Sequence, residues 1–417
     1  MQVQAAGVSL QGRRKKNEDS LGLFPEWGLY AIADGLGGLQ FGERASASAI
    51  AGVSQEGPAF SRCADALREL PSTESRKALF DQMELLFERT SGELHAMVKR
   101  DRVPMGTTLS SAVIAGDRMI VGHVGDSRIY RVRGGRASIL TTDHSVAATR
   151  LRAGLITLEE YYKSNQRNVL TQSLGPAPQV DPDVVEAELQ NGDTVVLCTD
   201  GVWGRVQPAK LAQIAAEGTP EEAAQSLGAT AIAFGSTDNC TAIVIRIVDV
   251  GGNLGVAPFP RALSQSRLFR DFSEVDLGLL APFVTHIDVR EGTTLIREGD
   301  GGEDMFLIER GSVVVTRQGK RLAQLGMGAH FGEIPLPIER PRTTSVVTAE
   351  PTRLLRLSRR EFDILCARRP VLAIRVTRRL MVDLATQLVD ARGGPQPEPI
   401  TLEPEMLDPP PTGFEGE

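Results

Sequence analysis

The stretch AIADGLGG, residues 31–38, decides how the first half of the chain reads. A small apolar run, suited to a buried strand, ends in Asp34. Gly35, Gly37 and Gly38 then remove almost every side chain around the carboxylate. Active sites are commonly assembled where strands end, and glycines let backbone, water and substrate approach a carboxylate closely. Four more aspartates share this setting: Asp19 in RKKNEDS, Asp126 in HVGDSR, Asp200 in CTDGVW and Asp238 in STDNCT. One such residue alone is usually a turn or helix-cap residue. Five of them point to a converging set, and converging carboxylates repel one another unless cations lie between them. Oxygen-only ligands of this kind suit magnesium or manganese rather than zinc. With 5 histidines and 4 widely spaced cysteines, the sequence offers few nitrogen or sulfur ligands.

Composition bounds the rest. A chain of 417 residues exceeds one ordinary core; at ~100–200 residues per domain, two are expected and three possible. It is 41% hydrophobic and 24% charged, ordinary for a globular protein. The net charge of −7 and the lack of a long basic stripe argue against a nucleic-acid partner. No apolar run approaches the ~20 residues that span a bilayer, and MQVQAAGVSLQGRRKK lacks a signal peptide's apolar core. A reduced, cytoplasmic protein without a membrane partner is the expectation.

Along the chain, the first ~250 residues mix strands and helices. TESRKALFDQMELLFERTSGELHAMVKRD, from Thr73, places Leu79, Phe80, Met83, Leu86, Phe87 and Leu94 at helical spacing. DRMIVGHVGDSRIYRVRGGRASIL reads as two or three strands with a hairpin turn at Gly134-Gly135. DTVVLCTD and CTAIVIRIV are near-continuously apolar, as strands covered on both faces are. Near Val250 the texture changes to a Gly- and Pro-rich linker. A second unit follows, with a short helical region in LFRDFSEVDLGLLAPFV, strand-and-turn pieces, and two closing helices. Ser358 and Glu361 suggest a capping box for the first, and Pro370 suits the first turn of the second. That last helix places Ile374, Leu380, Met381, Leu384 and Leu388 near one face, for burial on its own domain, a nucleotide lid or a dimer seam. From Gly393 the tail has seven prolines and only acidic charges, a composition expected to be disordered. The expected domains are therefore 1–249, a linker at 250–262, 263–392, and a tail at 393–417.

RKKNED, ADGLGG, GTT at Gly106 to Thr108, VGDSR, CTDG and TDN occur in that order. Together they resemble the metal-dependent protein phosphatases of the PPM family (type 2C), particularly the bacterial branch, over about residues 5 to 248. RNVLTQSLG, from Arg167, is similar to that family's segment beside the flap. The resemblance implies an α+β domain, a sandwich of two antiparallel β-sheets flanked by helices, with a two-metal centre of manganese or magnesium. It implies that Asp34 bridges the metals, that the Gly35 carbonyl binds one, and that Asp200 and Asp238 hold the other. Glu18 and Asp19 would act through water, Asp126 would help bind a third, weaker metal, and Arg14 would bind substrate phosphate. Two cations ~3.5–4 Å apart activate a water for direct, in-line attack on phosphorus. The implied substrates are proteins phosphorylated on serine or threonine. Two positions depart from the pattern. Leu36 stands where animal members carry a histidine proposed as general acid, so the leaving-group proton must come from elsewhere. Gly204 stands where some members carry an acidic residue.

In the second unit, FGEIPLPIERPRTTSV, residues 331–346, opens on Gly332, a tight-turn residue. Free backbone amides followed by a returning Arg342 would make an anion site, although the arginine alone could be an ordinary exposed side chain. The run resembles the phosphate-binding cassette of cyclic nucleotide-binding domains, and EGDGGEDMFLIERGSV, from Glu298, resembles that family's glycine-turn strand pair. The resemblance implies a smaller, eight-stranded β-roll domain with flanking helices. Glu333 would accept from the ribose hydroxyl and Arg342 would pair with the cyclic phosphate of cAMP or cGMP. Thr343 tilts the base choice slightly to guanine. Pro335 removes a backbone N–H at a position that usually reaches the phosphate, a loss of ~1.5–3 kcal/mol. The expected function is a protein serine/threonine phosphatase regulated by a cyclic nucleotide. Two alternatives stand beside it: a phosphatase whose second domain is a nucleotide-independent scaffold or dimerisation module, and a non-catalytic binding scaffold.

Overall fold

The computed structural model describes residues 1–36, 41–252, 254, 263–266, 268–332 and 341–391. The chain divides into two compact units near residue 256. No helix among the described residues is long and apolar enough to cross a membrane. The four cysteines are free thiols.

The first unit is built on two antiparallel five-stranded sheets. One runs β1-β10-β9-β6-β7, with β1 Gln2–Leu10, β6 Arg128–Arg133, β7 Arg136–Ile139, β9 Thr194–Cys198 and β10 Cys240–Asp249. The other runs β2-β3-β4-β5-β8, with β2 Asp19–Phe24, β3 Leu29–Asp34, β4 Leu109–Ala115, β5 Arg118–Val124 and β8 Asp183–Glu188. The apolar runs become central strands: β4, β5 and β9 are buried along their whole length. A strand buried on both faces has no solvent side, so it loses the alternation of polar and apolar residues. Gly134 and Gly135 turn between β6 and β7 with φ of 56° and 77°, the left-handed pair that a tight hairpin requires.

Helices cover the outer faces. The long helices α1 (Gly42–Glu69) and α2 (Thr73–Asp101) lie against the second sheet. Their apolar stripes, with Ala45, Ala49, Val53, Met83, Leu86 and Phe87, join Leu29, Ala31 and Ile120 in one core. The small residues of α1 let it approach β2 and β3 closely. Two short helices follow, α3 (Val146–Arg152) and α4 (Leu158–Lys163), and a single turn, α5 (Asp200–Trp203), succeeds β9. On the first sheet, α6 (Pro208–Ala216) and α7 (Pro220–Ala233) close a second core with Val196, Ala242 and Val244.

The second unit has eight strands among its described residues. They form two four-stranded sheets, β11-β18-β13-β16 and β12-β17-β14-β15. The strands are β11 Thr285–Val289, β12 Thr294–Ile296, β13 Asp304–Arg310, β14 Val313–Arg317, β15 Lys320–Leu325, β16 His330–Phe331, β17 Ser345–Thr348 and β18 Thr352–Ser358. This is the expected β-roll, packed round Ile296, Phe306, Ile308, Val313, Phe331, Val346 and Leu354. It is preceded by α8 (Glu274–Leu280), capped by Ser273 and Asp276, and followed by α9 (Arg359–Arg368) and α10 (Pro370–Ala391). Ser358 caps α9 through the Glu361 N–H.

One expectation needs correcting. The buried face of α10 carries Leu372, Ala373, Val376 and Leu380, whereas Ile374 is 47% exposed and Met381 56% exposed. Stepping by four residues from Leu372 defines the inward face, and Ile374 and Met381, seven apart, lie off it. The side chain of Leu388 and the tail at 393–417 lie outside the described residues, as does most of the stretch 250–262.

Candidate functional site

β3 delivers Asp34 to one end of the first unit, where the GTT segment holds its backbone on both sides. The Asp34 N–H donates to Thr108 Oγ1 at 2.9 Å. Its carbonyl accepts from the Thr107 hydroxyl at 2.8 Å and the Thr108 N–H at 2.8 Å. Gly35 follows, its N–H donating to the Glu18 carbonyl at 3.0 Å. A Cβ at Gly35 would lie 2.3 Å from the Gly42 carbonyl oxygen and 2.7 Å from that of Glu18, so only glycine fits. Leu36 packs on Gly106, its N–H donating to the Gly106 carbonyl at 2.9 Å. Gly37 and Gly38 lie outside the described residues.

The other carboxylates reach the same end by non-local pairing. Asp19 is the β2 partner of Asp34 across the strand pair. Its Oδ2 accepts from the hydroxyls of Thr199 at 2.9 Å and Thr241 at 2.6 Å, one from the end of β9 and one from β10. Asp200 opens α5 directly after β9, and its Oδ1 is buried with no hydrogen-bond partner among the described residues. Asp238 precedes β10 and is ion-paired to Arg14 at 2.6 Å. The Arg14 side chain is 45% exposed, so it faces solvent as well as the acidic centre. Asp126 is buried in the turn between β5 and β6, its carbonyl accepting from the Trp203 indole at 2.9 Å.

The electrostatics follow from crowding. Burial, then the neighbouring Asp19, Asp200, Asp126 and Asp238, hold the Asp34 carboxyl well above the usual range. Asp19 is pushed up to about 7 by burial, against the opposing pull of its two threonine hydroxyls. Asp200 rises to about 6 through burial and Asp238. Asp126 is also raised well above its ordinary value, by burial and then by Asp200 and Asp143. Glu18 is raised by burial and then by Glu43, which places its carboxylate on the α1 side of the centre. The Arg14 guanidinium is raised chiefly by its hydrogen bond to Asp238.

The acids are neighbours rather than a finished cage. Among the described residues, no three His, Cys, Asp or Glu side chains converge as ligands of one ion. Mutual repulsion explains this: Asp238 is turned to Arg14 and Asp19 to its hydroxyls. The donor set still fits hard divalent cations. It is all oxygen, its charges raise one another, and the bare Asp200 Oδ1 is a buried acceptor without a donor.

Three supports were not read from the sequence. Thr199 and Thr241 orient Asp19. Asn239, next to Asp238 in the TDN motif, ties down the loop carrying Arg14: its amide donates to the carbonyls of Gln11 at 2.8 Å and Lys16 at 2.9 Å, and its oxygen accepts from the Glu18 N–H. Arg128, from VGDSR, makes a bidentate pair with Asp143 at 2.8 and 2.7 Å and lies 3.5 Å over the Trp203 ring, bracing the turn that holds Asp126. The adjacent DSR, TDN and CTD letters mark these residues only once the strands that bring them together are known.

In the second unit, Arg342 is 8% exposed, not the ordinary surface arginine. Its guanidinium donates to the carbonyls of Gly332 at 3.0 Å and Asp304 at 2.8 Å. It lies so close over Gly302 that a Cβ there would be 2.2 Å from its Nε. Gly332 holds φ at +81°, where glycine is favoured. Thr343 follows Arg342 at the entry to β17, while Glu333 and Pro335 lie outside the described residues.

A two-sheet sandwich flanked by helices, with an acidic oxygen centre at the strand ends and an arginine at its rim, defines the phosphatase class whose motifs the sequence carries. Residues 6–237 match the family model for Protein phosphatase 2C, and residues 286–369 match that of the cyclic nucleotide-binding domain. The chain belongs to the protein phosphatase 2C family. It is 29% identical over 239 residues to a serine/threonine phosphatase stp of Listeria innocua, covering 56% of this chain and 91% of that protein. It is 31% identical over 238 residues to the serine/threonine protein phosphatase PstP of Mycobacterium tuberculosis, covering 57% of this chain but 43% of that one. A crystal structure of a PstP catalytic domain in complex with two manganese ions superposes with a TM-score of 0.50 at 28% identity, over 59% of this chain and 99% of that one.

Proposed function

We propose that this chain hydrolyses phosphoserine and phosphothreonine in proteins at the acidic centre of the first unit, in dependence on manganese or magnesium. The observation that carries this reading is the group of Asp19, Asp34 and Asp200 gathered at one end of the sheets, each raised by desolvation and then by neighbouring carboxylates, with Asp200 Oδ1 unpartnered among the described residues. Asp34, the Gly35 carbonyl, Asp200 and Asp238 would hold two cations, Glu18 and Asp19 would contribute through water, and Asp126 would serve a third. Such ions supply charge neutralisation and water activation for phosphoryl transfer.

The chain's own residues do the rest. Arg14, half-exposed on its loop, exchanges the Asp238 carboxylate for the substrate phosphate dianion, which its planar fork matches. Thr107 and Thr108 fix the Asp34 backbone, and Thr199 and Thr241 hold the Asp19 carboxylate, so both acids are kept at the same end of the sheets. Leu36 has no proton to donate, so the leaving-group proton comes from another group. The test is phosphate release from a phosphothreonine peptide. The expected result is a rate that requires manganese or magnesium and falls at least ~100-fold in Asp34→Asn. A chain with no hydrolysis in either metal would return the alternative of a non-catalytic scaffold.

For the second unit we propose that it binds a purine cyclic nucleotide, with Arg342 on the phosphate, Gly332 and Glu333 in the cassette and Thr343 near the base, and that the nucleotide regulates the phosphatase. The buried guanidinium cradled over Gly302 supports this reading. A nucleotide regulates only through its difference in affinity for two states of the chain. Calorimetry with cAMP and with cGMP is expected to give heat with one of them and none in Arg342→Ala. No heat with either would favour a structural or self-association role, to which the exposed Ile374 and Met381 on α10 are suited.

A further inference from the structure

Beside Asp200 and Asp238 lies a cleft of about 100 Å³, whose lining includes Arg167, Asn168, Arg205 and Ser236. Neither Arg167 nor Arg205 has a carboxylate partner among the described residues, although Arg14 across the same acids is paired to Asp238. Arg167 is half-buried, its guanidinium 5.9 Å from the Trp203 ring centroid, which limits its freedom, and Arg205 is exposed. Arg13 and Lys15 flank Arg14 on its loop, exposed and without carboxylate partners among the described residues. Although the chain carries a net charge of −7, the cleft beside Asp200 and Asp238 is thus lined by two cations without a carboxylate partner among the described residues.

We infer that this cleft selects phosphorylated residues flanked by an anionic group, which Arg167 and Arg205 bind while the phosphoryl group occupies the acidic centre. The inference rests on the phosphatase reading above. Two guanidinium groups without a carboxylate partner among the described residues are suited to a carboxylate or a second phosphoryl group, which their planar forks meet in a bidentate manner. Exposed cations at the rim of a cleft also attract an anionic peptide from solution, an effect that salt weakens.

The experiment compares kcat/KM of the full chain, in manganese, for three peptides with one phosphothreonine. One has neutral flanks, one has glutamate on both sides, and one carries a non-hydrolysable phosphonate at the same flanking positions. At low salt the glutamate peptide is expected to exceed the neutral one by about tenfold, mainly through KM, with the ratio falling towards 1 at high salt. In Arg167→Gln and Arg205→Gln the ratio should drop, and in Arg205→Lys it should recover in part. Because each ratio is internal to one variant, a change in overall rate does not move it. A phosphonate peptide preferred over the glutamate one would assign the cleft to a second phosphoryl group, and the reverse to acidic side chains. Equal values for all three peptides in the unaltered chain, or a ratio that survives both substitutions, would overturn the inference. A chain that hydrolyses none of the peptides would overturn the phosphatase reading first, and this inference with it.

Discussion

Asp34 sits where its own charge is destabilising in the absence of a cation. Its carboxyl is raised by burial and by four neighbouring aspartates. An acid whose folded pKa lies above its unfolded one binds more protons when folded, so stability falls as pH rises above the ordinary carboxylate range. At neutral pH, Asp34→Asn should therefore raise the melting temperature of the chelated protein by roughly 2–4 °C, while abolishing most hydrolysis. Scanning calorimetry in chelator checks this, and a lower melting temperature would contradict it. His123 works in the opposite sense. It is fully buried, bonded to Ser110 Oγ at 2.8 Å and the Gly125 carbonyl at 3.0 Å, and burial followed by His144 lowers it from 6.5 to about 4. The unfolded chain takes up a proton that the folded chain refuses, so stability is lost as pH falls from about 6.5 towards 4, by on the order of 3 kcal/mol. Urea midpoints at pH 7 and pH 4.5 should differ by less in His123→Gln than in the unaltered chain. At this scale the sequence was most legible for residues in motifs. Asp19, Asp34, Asp200 and Asp238 stand beside glycines and turn residues that announce a strand end. Thr199 and Thr241 carry no such sign, because a threonine in a strand reads as β-propensity. His123 reads simply as one more residue of an apolar run.

Among the elements, α1 shows how a helix can be shaped by one close approach. Gly57 lies inside it, and a Cβ there would fall 1.8 Å from Trp27 Cε3. Replacing an interior helix glycine by alanine ordinarily stabilises by ~0.5–1 kcal/mol. Gly57→Ala should instead destabilise by about 1–3 kcal/mol, since the Trp27 ring must move. Gly92 on α2 is the control: the nearest atom to its added Cβ is 4.0 Å away, so Gly92→Ala should follow the ordinary rule and stabilise. Denaturation midpoints of the two variants should move in opposite directions. Helix periodicity made α2 readable, and Gly134-Gly135 marked its hairpin. The face of α10 was read less well. Its apolar residues form two stripes, and sequence alone does not say which one meets the β-roll. The structure buries Leu372, Val376 and Leu380.

For the whole molecule, two folds occur on one chain, and the family matches fall one on each unit. Order along the sequence carried that conclusion, since each motif alone is weak and their succession is not. What order could not supply is the convergence of the acids. Asp19 meets Asp34 through the β2–β3 register, and Thr241 meets Asp19 across 222 residues of chain. The central claim is that these acids hold divalent cations on which hydrolysis depends. The most direct measurement is a manganese titration of the chelator-stripped full chain, following bound metal by calorimetry and phosphate release from a phosphothreonine peptide in the same samples. The expected result is at least two manganese ions per chain, with the rate rising in step with occupancy and both lost in Asp34→Asn. A rate independent of added metal, or hydrolysis that persists in Asp34→Asn at the unaltered level, would contradict the account.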